Sequence, residues 1–281
     1  MTTPTPIDDP ADPRIAAYRA MRERDLIGRG GRFIVEGEVT LRIALSPRSR
    51  FTLESILLLP ERVAGLEASI AALPDPPPVY VAARPVMSAI AGFPIHRGVL
   101  AVGLRGIDPE ASALIPEGKA LVVGLVGLTN HDNVGAVFRN AAAFGADAVI
   151  LDGETCDPLY RKAIRVSAGA ALTMPFARLG QAGDLLALAD RQGLTPLAMT
   201  PRGTTDISRL EPLARSLLLL GAEGPGLPDS VIARARTLRI TMAAGFDSLN
   251  VGTAGAIALH HLAGYRSAVR DNEWQLSHTQ A

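Results

Sequence analysis

The chain has 281 residues, 48% of them hydrophobic and only 4% aromatic, so its core must be built from aliphatic side chains and Ala. With 28 basic and 28 acidic residues there is no global charge to attract a polyanion, and any nucleic-acid contact has to come from a local patch. The single cysteine, Cys156, excludes an intrachain disulfide framework and a multi-cysteine zinc site.

In chain order, residues 1–13 are rich in Pro, Thr and Asp and are expected to be a flexible N-terminus. They lack the cationic start and apolar centre of a signal peptide. No apolar run approaches the roughly 20 residues that span a bilayer. A cytoplasmic protein without membrane contact is the expectation. Residues 14–26 read as a helix carrying Arg14, Arg19, Arg22 and Arg24, broken by Gly28, Gly30 and Gly31, with Arg29 and Arg32 among them. A solvated helix face and a patch for an RNA backbone both fit that pattern.

Residues 33–103 alternate short strands and helices. Strands are expected at 33–35, 55–59, 79–81 and 99–102, and helices at 36–45, 61–73 and 85–91. Pro74-Asp75-Pro76-Pro77-Pro78 is a stiff turn. No cluster in this stretch looks catalytic, and His96-Arg97-Gly98 fits a plain turn better than a partner contact. A small α/β domain over 14–105 follows, then a polar linker over 106–118.

From Lys119 the pattern changes. Residues 120–126 and 216–220 are continuous apolar runs, as expected for strands buried on both faces of a parallel sheet. Further strands are expected at 148–151, 196–199 and 238–240, with helices at 133–144, 159–170, 185–192 and 251–265. This alternation predicts an α/β domain over 119–266 with ligands at the carboxyl ends of its strands. Residues 267–281 are expected to be a flexible tail.

Three segments place polar side chains among glycines where a strand hands over to a loop or helix. In Asn133-Val134-Gly135, Asn133 could cap a helix start and Gly135 could admit a ligand. Arg139 lies further along the same helix amid Ala and Phe, where a held charge wants an anion, although a surface Arg gives the same pattern. Gly221-Ala222-Glu223-Gly224-Pro225-Gly226 follows a strand but has neither Gly-Lys-Ser/Thr nor G-x-G-x-x-G order. Glu223 could be a cap or an acceptor for a substrate hydroxyl or base. In Ser248-Leu249-Asn250, either polar residue could be the N-cap of the last helix or could position a small ligand.

Taken together, Asn133-x-Gly135-x-x-x-Arg139 with Ala143-Phe144-Gly145, then Gly221-x-Glu223-Gly224-x-Gly226-Leu227, then Ser248-Leu249-Asn250-Val251 resemble in order the three motifs of the SpoU (TrmH-like) ribose 2′-O-methyltransferases of the SPOUT superfamily. Arg165-x-Ser167-x-Gly169 is similar to a further stretch of that family. Phe33-Ile34-Val35-Glu36-Gly37 and Gly98-Val99-Leu100-Ala101-Val102 are similar to the small RNA-binding domain many members carry in front. The resemblance covers residues 119 to about 265 most strongly.

The resemblance implies a deep trefoil knot in the C-terminal domain, S-adenosylmethionine as methyl donor, a homodimer and a structured RNA substrate, either transfer or ribosomal RNA. It implies that Gly221, Ile240 and Leu249 contact the cofactor. It makes Arg139 the key residue beside the attacking hydroxyl, with Asn133, Glu223, Ser248 and Asn250 orienting ribose and cofactor, and no metal. An Arg is too basic to take the hydroxyl proton. It is read instead as binding the adjacent phosphate and stabilising the developing alkoxide, while the phosphate or a water accepts the proton. Three departures stand out: Thr241 for the usual Pro, Gly252 for the usual Ser, and Asn130-His131 for the usual Asp-Pro. They bear on cofactor affinity more than on activity. A non-catalytic binder of structured RNA on the same fold is the alternative, and an unknotted Rossmann-type enzyme is a third reading weakened by the missing fingerprint.

Overall fold

A computed structural model describes residues 3–19, 31–92 and 94–278. The chain divides into two compact units, one of residues 1–107 with 157–173 and one of 108–156 with 174–281.

The first unit holds a five-stranded mixed sheet. Its strands are β1 (Thr5–Pro6), β2 (Arg32–Glu36), β3 (Thr52–Leu58), β4 (Val79–Val81) and β5 (Val99–Leu104), in the spatial order β1-β4-β3-β5-β2. β1, β4 and β3 run parallel, and β5 is antiparallel to both β3 and β2. Among the described residues up to 107, the α-helices are α1 (Glu38–Ala44), α2 (Val63–Ala71) and α3 (Arg84–Ala91). Ile34, Leu57, Leu100 and Val102 from the sheet pack with Met87 and Ile90 of α3.

Its first residues differ from expectation. Thr5–Pro6 pairs with β4, the Ile7 N–H donates to the Val81 carbonyl at 2.8 Å, and Ile7 is buried. A 3-10 helix (Pro13–Tyr18) follows and buries Ile15 and Tyr18, whose hydroxyl meets Ser55 Oγ at 2.9 Å. A two-residue edge strand anchored by one isoleucine leaves almost no periodic signal in a Pro-rich stretch. Of the helix expected over 14–26, the described part is this 3-10 turn, and residues 20–26, with Arg22 and Arg24, as well as Gly28, Arg29 and Gly30, lie outside the described residues. Residues 157–173 belong with this unit, where Arg161 of a short helix, α5 by chain order (Arg161–Val166), pairs with Glu36 at 3.0 Å. The Arg165, Ser167 and Gly169 stretch therefore lies in the first unit, not in the domain assigned to 119–266.

The second unit is built on a seven-stranded, all-parallel sheet. In chain order its strands are β6 (Ala120–Val126), β7 (Ala148–Leu151), β8 (Phe176–Arg178), β9 (Thr195–Met199), β10 (Thr205–Asp206), β11 (Arg215–Gly221) and β12 (Arg236–Arg239). In space they run β10-β12-β9-β11-β6-β7-β8. Every residue of β6 is buried, which is why its sequence is an unbroken apolar run. The helices are α4 (His131–Ala143), α6 (Ala182–Gln192), α7 (Asp229–Ile232) and α8 (Val251–His278). α6 is bounded by a Gln181/Asp184 capping box and by Gly193 in the left-handed region, and it buries Leu185, Leu186, Leu188 and Ala189.

Here too there are differences. The expected linker carries a 3-10 helix (Ala111–Leu114), and Ala111 and Ile115 are buried in the second unit's core. The flanking Gly and Pro residues make the segment read as polar and hide those anchors. β8 and β10 were not expected, being three and two residues long. α8 runs on to His278 through residues expected to form a tail; 266–278 contain no Gly or Pro to stop it. Among the described residues no helix is long and apolar enough to cross a membrane.

Asp12 offers a pH test of the ordered start. Its carboxyl is lowered to about 2, first by the Arg14 side chain and then by the Arg14 backbone N–H. A depressed carboxyl contributes stability that is present above its ordinary value near 4 and lost as pH falls through about 2. NMR titration of the Asp12 carboxyl carbon should give a midpoint near 2; a midpoint near 4 would mean the Arg14 contact does not form in solution.

Candidate functional site

β9, β11 and β12 end side by side at Met199, Gly221 and Arg239. The loops that follow them enclose a cleft of about 590 Å³ at the carboxyl edge of the sheet. That is where an open parallel sheet presents ligands, because the strand ends leave backbone groups unpaired and the connections diverge. Leu220, Ile240, Met242 and Leu249 make the apolar walls, and Glu223, Asp247, Ser248 and Asn250 bring polar groups.

The glycine-rich loop after β11 is a tight turn. Gly226 N–H donates to the Ala222 carbonyl at 3.0 Å, and Gly224 and Gly226 both have positive φ. At Gly221 an added Cβ would lie 2.4 Å from the Gly226 carbonyl carbon and the Leu227 nitrogen. Any side chain there would force the returning chain away.

Residues 240–250 lead from β12, line the cleft with Met199 and Gly221 at the ends of β9 and β11, and reach α4, the helix that follows β6, through the bond of Asn250 to Asn133. At the end of that stretch stands Asn250. Its Nδ2 donates to Asn133 Oδ1 at 2.9 Å and to Glu223 Oε1 at 3.2 Å. Its Oδ1 accepts from the N–H groups of Gly252 and Thr253 at 2.9 and 3.3 Å, which caps α8. The helix-cap reading and the functional reading of Asn250 are therefore both true of one side chain. Asn140 Nδ2 adds a bond to the Gly252 carbonyl at 2.9 Å. The Gly252 departure has a local reason, since an added Cβ would lie 2.9 Å from the Ala136 methyl where α8 meets α4.

The structure thus brings together Asn133, Glu223 and Asn250 by hydrogen bonds, and sets Gly221, Ile240, Ser248 and Leu249 on the same cleft. Two expectations need correction. Asn133 is not a cap: Asn130 caps α4, its side chain accepting from Asp132 N–H at 2.9 Å, while Asn133 is buried. Arg139 is not enclosed among apolar groups. The turn of α4 sends Val134, Val137, Phe138 and Ala141 inward and leaves Arg139 exposed, off the cleft wall, with no hydrogen bond or ion pair among the described residues.

Sequence reasoning missed Met199, Thr200, Pro201, Met242 and Asp247, which also line the cleft. The first three directly follow or end a predicted strand, so the rule that ligands gather at strand ends could have found them. Beside the cleft, Asp206 Oδ2 accepts from the Thr241 hydroxyl. Its carboxyl is held below the usual carboxylate range by the Ser208 hydroxyl first and Thr241 second. Among the described residues no group of three His, Cys, Asp or Glu side chains is placed to hold a metal ion.

Residues 120–260 match the model of the SpoU rRNA Methylase family. An uncharacterized tRNA/rRNA methyltransferase of Mycobacterium tuberculosis is 37% identical over 262 residues, covering 90% of this chain and 89% of that protein. The 23S rRNA (guanosine-2′-O-)-methyltransferase RlmB of Ralstonia nicotianae is 29% identical over 189 residues, covering 65% of this chain and 75% of its own. The crystal structure of an AdoMet-bound rRNA methyltransferase from Sinorhizobium meliloti shares the fold, with TM-score 0.79, 23% identity and coverage of 93% of this chain and 98% of that one.

Replacing Asn250 separates its two jobs. Asn250→Ala should destabilise the protein by about 1–3 kcal/mol in urea unfolding, because a cap is lost and the buried Asn133 oxygen loses its donor. Asn250→Ser restores a capping oxygen without the reach to Asn133 and should recover part of that loss. Equal stabilities for the two variants would show that the cap contributes nothing.

Proposed function

The chain belongs to the SpoU rRNA methylase family, and from that premise we propose that it transfers a methyl group from S-adenosylmethionine to a ribose 2′-hydroxyl of structured RNA, either transfer or ribosomal. The observation that carries the reading is the meeting of Asn133 of α4 and Glu223 of the glycine-rich loop at Asn250, beside the cleft that Glu223 and Asn250 line. The relatives named as tRNA/rRNA and guanosine-2′-O-methyltransferases support the substrate class and the ribose target.

The cleft suits the cofactor chemically. Leu220, Ile240 and Leu249 offer an apolar slot for a flat base, and Glu223 and Asp247 offer carboxylates to ribose hydroxyls and to a cationic methionine moiety. The tight turn at Gly221 exposes backbone there without a side chain in the way. When bound, S-adenosylmethionine supplies an already electrophilic methyl group, so the protein's contribution is alignment and charge stabilisation.

In this reading Asn250 holds Asn133 and Glu223 through its Nδ2, and Glu223 and Ser248 orient ribose at the mouth of the cleft. Arg139 receives the RNA phosphate next to the target ribose and stabilises negative charge developing on the 2′-oxygen. Its exposure and freedom from any partner among the described residues leave the guanidinium available for that phosphate. We further propose a trefoil-knotted C-terminal chain, a homodimer, a cytoplasmic location and RNA selection by the first unit. Membership of the family supports the knot.

Mapping alkali-resistant 2′-O-methyl positions in RNA from cells with and without the protein tests the reading. One ribose should lose its methyl when the protein is absent. Arg139→Ala should lower methyl transfer by roughly 10²-fold or more while calorimetry shows cofactor binding retained; near-normal turnover would remove Arg139 from the mechanism. Absence of any saturable heat with S-adenosylmethionine would instead favour a non-catalytic RNA-binding protein.

A further inference from the structure

The wall of the cleft formed by residues 240–249 is held unevenly. Up to Arg239 the chain is firmly tied to the segment after β9. Thr200 N–H donates to the Leu238 carbonyl at 2.9 Å, Arg239 Nη1 donates to the Gly203 carbonyl at 2.7 Å, and Thr204 and Thr237 share a hydroxyl contact of 3.0 Å. β10 then pairs with β12, setting Asp206 opposite Arg239, where the ladder ends. Beyond it the chain is irregular and largely exposed, Phe246 to 74%. Among the described residues, side-chain hydrogen bonds tie this stretch to the rest of the unit at two points only, Thr241 and Asn250. Between them the one backbone bond, Phe246 to Ala243, is internal to the loop.

We propose that Thr241 and Asp206 form a clasp that sets the position of the 240–249 wall and are positioning residues for the cofactor. Thr241 stands between Ile240 and Met242, both on the cleft, while its hydroxyl is bonded to Asp206. Asp206 is itself fixed by accepting from Ser208 N–H and Oγ at 2.9 and 2.6 Å. The clasp joins the wall that carries Ile240 and Met242 to the segment that begins with the lining residues Thr200 and Pro201. A loop pinned at both ends loses less conformational freedom when a ligand orders it, so affinity rises without a new ligand contact. The Asp206 carboxyl is held down by Ser208 and Thr241, so it stays ionised through neutral pH and remains an acceptor.

This inference rests on the S-adenosylmethionine reading, and two measurements on the full chain keep them apart. In calorimetric titration with S-adenosylmethionine, Thr241→Val and Asp206→Ala should each raise Kd by roughly tenfold, the hydrogen bond between the two side chains being lost. Thr241→Ser, which keeps the hydroxyl, should stay within about twofold, and the double variant should be no weaker than the single ones. Wild-type-like affinity in Thr241→Val, or additive losses in the double variant, would overturn the clasp. In ligand-free protein, amide hydrogen exchange over 241–249 should be faster in Thr241→Val than in wild type or Thr241→Ser, and unchanged exchange would also overturn it. A wild-type chain with no saturable heat defeats the cofactor reading alone, because the exchange experiment still reports on the clasp.

Discussion

The carboxamide of Asn250 is engaged on both sides: its nitrogen donates to Asn133 and Glu223, and its oxygen caps α8. Asn250 and Asn133 are 117 residues apart in the chain. Their contact joins the end of the loop after β12, which shares the cleft with the ends of β9 and β11, to the helix after β6. A carboxamide places two donor hydrogens and an acceptor oxygen on separate atoms at the end of one side chain, so it can serve Asn133, Glu223 and the helix end together. A carboxylate would cap the helix but repel Glu223, and a hydroxyl would cap it but fall short of Asn133.

Around that joint the cleft divides by chemistry. Leu220 at a strand end and Ile240, Met242 and Leu249 of the 240–249 loop give it apolar walls, while Glu223, Asp247, Ser248 and Asn250 bring the polar groups. β11 is largely buried, whereas the 240–249 wall is largely exposed and, among the described residues, tied by side-chain hydrogen bonds only near its ends. Precision in such a site depends on what fixes the loops, and for this wall that means Asn250 at one end and the Asp206–Thr241 pair at the other. Arg139 stands apart from these contacts, exposed on α4 and without a hydrogen bond or ion pair among the described residues.

Much of the fold is legible in the residues. The unbroken apolar runs at 120–126 and 216–220 are central strands flanked on both sides, and the short runs at 79–81 and 148–151 are strands with those bounds. What escaped has little periodicity to read: β1, β8 and β10 are two or three residues long and are strands because a longer neighbour is there to pair with. Ala111 and Ile115 are hidden in a stretch whose composition says linker. Residues 157–173 read as one more helix of the parallel-sheet pattern, yet they pack in the first unit, which only contacts can show.

By itself the sequence determined the α/β class, the buried strands of the second unit and the identity of the polar residues at three strand-to-loop junctions, because burial on both faces and glycine-bounded turns leave their mark on neighbouring residues. Only the tertiary structure decided which of those residues meet. It joined Asn250 to Asn133 and Glu223, gave the α4 cap to Asn130, turned Arg139 outward and put the Thr241 hydroxyl on Asp206. Those are relations between residues far apart in the chain, set by strand order and by which loops meet, and no local pattern records them.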